Sequence, residues 1–477
     1  MSNTNGASDD QFNRLFSKEF ILLSVLNILV VGSHAVNGYI TLTIVPSIVI
    51  DLGGREYMFW LFALFQVGSI VAGVVAGSFK NQLGSRTIFS IACLILLIGS
   101  VAGGTATNLS VVILGRGLQG IGEGMLISLI YILVADLLPH KLLPRMFALS
   151  SVVWSVAAAL GPLFAGVLDE LISWRAAFLF NVPLVLILIT LAWRAIPIET
   201  EQAEANPLPV KRLVLLTSGL LILGAAGQFS NIVLLVTIIV GSLLMMSGFL
   251  WLDNKADNRL LPKRPFSQST IVSKCLTIML LAQLAGGVSN VYMASMLRSV
   301  WELSALQAGY ALALIAFTWT IAAWLTNKID DPSREIDMIR FGTIVYAIGH
   351  CTTATGLYTG SLLITCIGFC LHGVGMGSSS QFNRKAVMVN AEPKERSITS
   401  GAMAPTTFAG AVIGAALAGL AAQTFGLFEG DAIGRVFDPE VARVSGTYML
   451  LSFAAISVGA TFLSFRLQAP TLSNVAT

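Results

Sequence analysis

Charge is what this 477-residue chain has least of. Lys, Arg, Asp and Glu together make up 11% of it, against about 25% in an ordinary soluble chain, while 55% of its residues are hydrophobic. So few charges cannot clothe a water-facing surface, which excludes a soluble globular domain and predicts a polytopic membrane protein. The formal charge of +3 is too small to attract nucleic acid. Cysteine is sparse as well. Cys93, Cys275, Cys351, Cys366 and Cys370 form no CxxC motif and lie in or beside apolar runs, so they read as small core residues rather than a disulfide framework or a zinc site. The four histidines are not clustered, and no metal or cofactor is expected. A glycine loop closed by Lys and Ser or Thr is missing, which removes ATP as an energy source. The apolar runs hold neither paired carboxylates nor rings of like charge, which argues against a membrane enzyme and against a channel. The start, MSNTNGASDDQFNRLFSKEF, has no short apolar core followed by small residues, and is not expected to be a cleavable signal peptide.

What is abundant is apolar sequence in long runs. Stretches of about 17–30 residues lacking Lys, Arg, Asp and Glu begin near Phe20, Tyr57, Thr87, Leu109, Met146, Ala176, Leu213, Asn231, Cys275, Leu303, Phe341, Ser361, Ser397 and Gly446. That predicts fourteen transmembrane helices, with both termini on one side. If the termini share the side of Lys80 and Arg86, the other side receives only Arg55, Arg175, Arg298, Arg435 and Arg443 of the 28 basic residues. The crowded side is cytoplasmic by the positive-inside rule, so a multi-pass cell (inner) membrane protein with cytoplasmic termini is expected. The loop 426–445, with Glu429, Asp431, Asp438 and Glu440, reads as a solvated outer hairpin or lid.

The chain repeats itself. Residues 118–124 read LQGIGEG and residues 371–377 read LHGVGMG, 253 positions later; Gly161 and Gly166 recur at the same offset as Gly414 and Gly419. Span twelve therefore repeats span four, and thirteen repeats five. Eight spans are six plus two, which predicts an all-α membrane fold of two parallel six-helix bundles with two helices inserted between them. The expected boundaries are 1–198 and 269–477 for the bundles and 199–268 for the linker with the inserted pair.

The fourth span, LSVVILGRGLQGIGEGMLISLIYILVADLL, holds two charges that no segment assignment can place outside the bilayer, Arg116 and Glu123. Seven residues bring a helix back to nearly the same bearing, so Arg116, Gln119 and Glu123 share a face, with the charges about 10 Å apart along the axis. A charge at mid-bilayer costs at least about 2.5–3.5 kcal/mol, so this face points into a bundle or a watery cavity. It is either a functional site or a structural ion pair.

His34, His350 and His372 lie inside spans, and His140 lies in a cytoplasmic loop. His372 occupies the repeat position of Gln119. It either faces the same central cavity from the other half or is a neutral ring satisfied by a neighbouring carbonyl. His34, three residues before Asn37, is the second candidate. Nothing in the repeat supports His350. The small-residue spacings Gly68/Ala72/Ala76 and Gly410/Gly414 read as helix packing. Trp154, Tyr39 and Trp319 could stack on a planar ligand or serve as packing.

These segments resemble the major facilitator superfamily, and within it the fourteen-helix drug:proton antiporter branch. GRGLQGIGEG resembles the RxxQGxG motif, with Arg116, Gln119, Gly120 and Gly122 in place. GSFKNQLGSR, with Gly77, Asn81, Gly84 and Arg86, is similar to the GxxxDxxGxR loop. AAALGPLFAG matches the antiporter GPxxGG motif at Gly161 and Pro162, with Ala165 replacing one glycine. WRAAFLFNVP, Trp174–Pro183, and the connector Phe249–Phe266 are also similar to that branch. Two carboxylates of the pattern are absent, since Asn81 and Asn37 stand where the family carries Asp. The resemblance implies a non-enzymatic secondary transporter that moves a small organic compound by alternating access, as a monomer in the lipid bilayer. It most directly implies proton-coupled export of amphipathic compounds. Glu123, partnered by Arg116, is then the one membrane carboxylate able to carry the proton, with Gln119, His372, His34 and Asn37 at the substrate or proton path. The alternative on the same fold is uptake of an organic nutrient, for example a vitamin such as riboflavin.

Overall fold

The computed structural model describes residues 14–139, 141–198, 208–229, 231–327, 329, 331–430 and 435–468. Among them every regular element is helical, and twelve helices are long and apolar enough to cross a membrane. Large apolar side chains such as Leu114, Leu171, Val233 and Leu244 lie exposed on these helices, an arrangement that suits lipid and not water. The chain is a multi-pass membrane protein. It divides into two compact units: the described residues of Met1–Ile48 and Leu64–Val210, and those of Val49–Ala63 and Lys211–Thr477.

The first unit is built from α1 (Ile21–Leu52, up to Ile48), α2 (Met58–Leu83, from Leu64), α3 (Ser85–Gly104), α4 (Leu109–Leu137), α5 (Leu143–Leu171), the single turn α6 (Ala176–Leu179) and α7 (Asn181–Ala195). Asn108 starts α4 by accepting the Val111 N–H at 3.1 Å, which satisfies one of the first-turn donors. Gly84 precedes α3 with φ 81°, a conformation that glycine reaches without steric cost. The core packs Leu126, Leu129, Ile130, Leu133 and Val134 of α4 among Phe89, Ala92 and Leu96 of α3 and Val185, Leu188 and Ala192 of α7.

The second unit contains α8 (Val210–Ala225, from Lys211), α9 (Ile232–Lys255), α10 (Ile271–Ala285), α11 (Gly287–Val291), α12 (Met293–Val300), α13 (Ala305–Thr326), α14 (Pro332–Thr359), α15 (Leu362–Val389), α16 (Arg396–Thr424) and α17 (Pro439–Phe465). Capping boxes at Thr270/Ser273 and Ser304/Gln307 start α10 and α13. The connector expected to resemble the antiporter branch is pinned by a buried pair. Arg212 donates to Asp253 at 2.6 Å and to Asn258, and Asp253 also accepts the backbone N–H groups of Leu260 and Leu261.

Two of the expected spans are not among the twelve. The ninth is not one helix: α10 stops at Ala285 and the chain restarts as α11 and α12. A Cβ on Gly287 would sit 2.2 Å from the Gly414 carbonyl oxygen, so the break falls where the backbone crosses α16 too closely for any side chain. The eleventh, α14, is a continuous helix of 28 residues but a less apolar one. Its Thr352, Thr353 and Thr355 hydroxyls each donate to the carbonyl four residues back, which satisfies them without water.

The repeat is visible as packing. A Cβ on Gly120 would lie 2.1 Å from the Phe65 carbonyl oxygen of α2, and one on Gly122 would lie 2.8 Å from that of Ala92 on α3. In the second unit, Gly373 meets Ile315 O of α13 at 2.2 Å, and Gly375 meets Gly342 O of α14 at 2.6 Å. Alternate glycines thus seat α4 and α15 against two backbones each, in the same order. The cysteine expectation holds only in part. Cys93 and Cys275 are buried, but Cys366 and Cys370 are half-buried and Cys351 is exposed. Membrane helices are apolar on both faces, so apolar neighbours do not reveal the buried side.

Candidate functional site

Glu123 is completely buried, with Gln119 equally so and Arg116 2% exposed. Helix α4 presents all three to one side, as the sevenfold spacing requires. Around the carboxylate, α1 supplies a turn of donors: the Ser33 hydroxyl and the Asn37 amide both reach Glu123 Oε1, at 2.5 and 2.9 Å. His34 Nδ1 stands 3.6 Å from Oε2. Asn37 is held in turn by a reciprocal amide pair with Asn181 at the start of α7, 2.9 Å in each direction. The two sequence candidates on α1, His34 and Asn37, are therefore both brought to Glu123.

Arg116 is placed differently. Its guanidinium donates to Gln119 Oε1 at 2.9 Å and lies 4.1 Å over the Phe65 ring, while Gln119 donates to Ser100 Oγ at 2.9 Å. The carboxylate accepts from Ser33 and Asn37 at one oxygen and faces His34 across 3.6 Å at the other, while Arg116, two turns away as the sequence spacing requires, is held on Gln119 and Phe65. The Phe65 ring joins the two groups, carrying Arg116 on one contact and stacking with His34 at 5.9 Å. Trp154 closes the aromatic side, edge-on to His34 at 5.7 Å. This is a buried carboxyl held at one oxygen by a hydroxyl and an amide and facing an imidazole with the other, beside a cation secured to an amide and an aromatic face.

Sequence reasoning missed Ser33, Ser100, Phe65 and Asn181. Ser33 was signalled by its position one turn before Asn37. Asn181 sits inside WRAAFLFNVP, where only the resemblance drew attention to it.

His372 is elsewhere, in the second unit. It is 2% exposed and its ring centroid lies 4.3 Å from that of His350 and 5.2 Å from that of Tyr346. His350 is also buried, with ring nitrogens 3.1 Å from Tyr346 O and 2.9 Å from Ala285 O. His140 lies outside the described residues.

The motif residues expected to govern conformation fall on helix ends and crossings. At the start of α3, Arg86 donates to the Ile196 carbonyl just past α7 and stacks over Trp193 at 5.6 Å. Lys80 in the last turn of α2 pairs with Asp136 near the end of α4 at 2.6 Å, so an ionic clasp joins these helix ends although Asn81 replaces the family's Asp. Gly77 leaves 3.8 Å from its Cβ position to Ile132 of α4. Gly161 lies against Tyr39 of α1, with a Cβ position 3.0 Å from that of the tyrosine, and Pro162 follows inside α5.

Residues 28–331 match the sequence profile described as Major Facilitator Superfamily, which is more than half of the chain. The chain belongs to the Major Facilitator Superfamily. It is similar to a probable multidrug-efflux transporter of Mycobacterium tuberculosis (strain ATCC 25618 / H37Rv), 24% identical over 448 residues and covering 91% of this chain and 92% of that one. It is also similar to multidrug resistance protein 3 of Bacillus subtilis (strain 168), 23% identical over 390 residues, 80% of this chain and 75% of the relative. Among solved structures it resembles the POT family transporter PepTSo, with TM-score 0.66 and 13% identity over 93% of this chain and 97% of that chain. A D-xylose-proton symporter gives TM-score 0.64 and 14% identity over 94% and 98%. At these identities the structures establish the superfamily fold alone. The chain is a membrane transporter of this superfamily.

Proposed function

We propose that this transporter exports amphipathic organic compounds by alternating access and couples export to inward proton movement through Glu123. The observation that carries the reading is the carboxyl's surroundings: completely buried, accepting from Ser33 and Asn37, with His34 3.6 Å from its other oxygen and Arg116 held on Gln119. Ser33 and His34 can serve either charge state, and the Asn37 amide can donate to a carboxyl oxygen in both. A hydroxyl can turn from donor to acceptor when the carboxyl takes a proton, and an imidazole can give up or receive one. A guanidinium locked on the carboxylate would instead hold it ionised. Arg116, positioned by Gln119 and Phe65, supplies a fixed positive field that a proton on Glu123 would feel without displacing a salt bridge. Export is supported by the names of the relatives in Mycobacterium tuberculosis and Bacillus subtilis.

On this reading His34 and Asn37 convey Glu123's charge state to α1, and His372 contributes to substrate or proton binding from the second unit. Gly77, Asn81, Gly84 and Arg86 form the cytoplasmic hinge, and Gly161-Pro162 the bend in α5. The chain acts as a monomer in the cell inner membrane, with both termini cytoplasmic, and catalyses no chemical reaction. The broken ninth span and the polar α14 cross with the twelve apolar helices, giving fourteen. The transporting halves are then 1–198 and 269–477, with the inserted pair in 199–268.

A second reading, uptake of an organic nutrient such as a vitamin (riboflavin, for example), draws on Asn37. Where the antiporter branch carries Asp, this chain has an amide tied to a second amide, Asn181. The deciding experiment is transport of labelled cationic dyes and of labelled riboflavin in cells lacking the gene and cells carrying it. Lower dye accumulation with the gene, abolished by a protonophore, supports export. Higher riboflavin accumulation with unchanged dye overturns export in favour of uptake.

A further inference from the structure

The second unit buries a polar group that the proposal for Glu123 does not use. His350 of α14 has both ring nitrogens at backbone carbonyls, Nδ1 3.1 Å from Tyr346 O and Nε2 2.9 Å from Ala285 O. A neutral imidazole carries one N–H, so it can satisfy one of these contacts and must turn a lone pair towards the other oxygen. The imidazolium satisfies both. Ala285 is the last residue of α10, where the broken span stops. Its carbonyl therefore belongs to a helix C-terminus, which carries partial negative charge and favours a cation.

A device for the neutral state is also present. Ser457 Oγ of α17 lies 3.4 Å from His350 Nδ1 and 3.4 Å from the Phe453 carbonyl. With the ring neutral, Nε2–H donates to Ala285 O and the Ser457 hydroxyl donates to Nδ1. With the ring protonated, Nδ1–H donates to Tyr346 O and the hydroxyl turns back to Phe453 O. A proton gained or lost at Nδ1 is thus matched by one rotation, which gives Nδ1 a donor when the ring is neutral and frees the Tyr346 carbonyl to accept when it is charged.

The repeat supplies an independent observation. Gly99 of α3 meets the Gln119 backbone nitrogen at 2.7 Å, and Gly349 of α14 meets that of His372 at 3.0 Å. Ser100 and His350 follow those glycines, so the pair His350/His372 stands where the first unit has the Ser100–Gln119 hydrogen bond. In the second unit two titratable rings replace two neutral groups. Their centroids are 4.3 Å apart, and His372 Nε2 is buried without a hydrogen-bond partner.

We propose that His350 and His372 form a second proton-binding site that holds one proton between them at the break between α10 and α11. The proton rests on His350, whose two carbonyls receive it, and its charge keeps the adjacent His372 neutral. The groups in contact with the pair are Tyr346 on α14, the Ala285 carbonyl on α10 and Ser457 on α17; α13 and α16, which also pack on α15, hold no Asp, Glu, Lys or His. Among the described residues neither ring has an ion-pair partner, so the site exchanges protons and not salt bridges. It goes beyond the role given to Glu123 and does not depend on it.

The test is independent of any substrate. Full-length chain labelled with ¹⁵N-histidine is placed in lipid nanodiscs and its ring nitrogens are followed from about pH 8 to 5, the range over which histidine changes charge; His350→Gln and His372→Gln assign the signals. The expected result is a single step in which His350 gains a second N–H while His372 stays neutral. Ser457→Ala removes the donor that serves the neutral ring and should move that step to higher pH by about half to one unit. If His350 keeps one N–H throughout, or if both rings become imidazolium, the proposal is overturned. An unmoved step in Ser457→Ala overturns the switching role of the hydroxyl. Because Ser457→Ala is a small change and the wild type is itself titrated, misfolding of a glutamine variant does not leave the question open.

Discussion

Substituting alanine at two glycines of α4, three residues apart, should have opposite effects. A methyl at Gly120 would begin 2.1 Å from the Phe65 carbonyl oxygen and 2.7 Å from its carbonyl carbon, both backbone atoms, whereas one at Gly117 finds its nearest neighbour, the Leu64 Cβ, at 3.9 Å. Ordinary contact starts at 3.4 Å, so Gly120→Ala must push the α2 backbone away by about 1.3 Å or shift α4 itself. Overpacking of this kind costs about 1–3 kcal/mol, offset by the gain of about 1 kcal/mol from replacing a helical glycine with alanine. The net expectation is a loss of up to about 2 kcal/mol for Gly120→Ala and a gain of up to about 1 kcal/mol for Gly117→Ala. The displaced residue is Phe65, which carries Arg116 and stacks with His34, so Gly120→Ala should also lower transport and Gly117→Ala should not. Unfolding of the purified variants in mixed micelles with increasing SDS measures the first effect, and dye efflux from cells measures the second. Equal stabilities for the two variants, or a fully active Gly120→Ala, would refute the packing argument.

The remaining predictions concern the amide pair and a helix cap. Asn181→Leu leaves the buried Asn37 carbonyl without its donor, which should cost about 1–3 kcal/mol in the same SDS titration and weaken the pH dependence of transport, since Asn37 also binds Glu123. Unchanged stability would mean that the pair is dispensable. At the start of α14, the Ser333 hydroxyl and the Arg334 backbone N–H hold the Asp331 carboxyl below the usual carboxylate range. The stability this adds is fully present above the unfolded pKa of about 3.9 and is lost as pH falls through the lower folded value. Asn caps helices as well as Asp does, so Asp331→Asn should remove that pH-dependent part while keeping the cap. Thermal melts between about pH 5 and 3 should show the wild type losing stability that the variant does not.

The positions of most helices were legible because long charge-free runs have one physical use. The expected starts at Leu109 and Ala176 coincide with those of α4 and α6, and Phe20 is one residue from the start of α1. The two exceptions have reasons that a linear pattern hides. Gly286-Gly287 looks like any small pair in an apolar run, and only the passage of the Gly414 carbonyl shows why the helix stops there. In α14 the hydroxyls are satisfied within their own turns, so its polar sequence neither marks nor excludes a span. At the site, Arg116, Gln119 and Glu123 were legible because one helix sets their spacing. Ser33, Phe65 and Asn181 come from three other helices, and sequence distance says nothing of their meeting. The repeat misled at His350: the offset between α3 and α14 at Ser100 is three residues shorter than the one between α4 and α15, which hid its correspondence with Ser100.

The proposed coupling requires a proton on the Glu123 carboxyl. The most direct measurement is proton flux into proteoliposomes containing purified wild type or Glu123→Gln, with an internal pH dye, on addition of a substrate identified by the cell assay. Gln keeps the size of Glu and can still accept from Ser33, so the variant should insert, fold and bind substrate while moving no protons with it. Substrate-driven proton flux equal to wild type in Glu123→Gln would contradict the central claim.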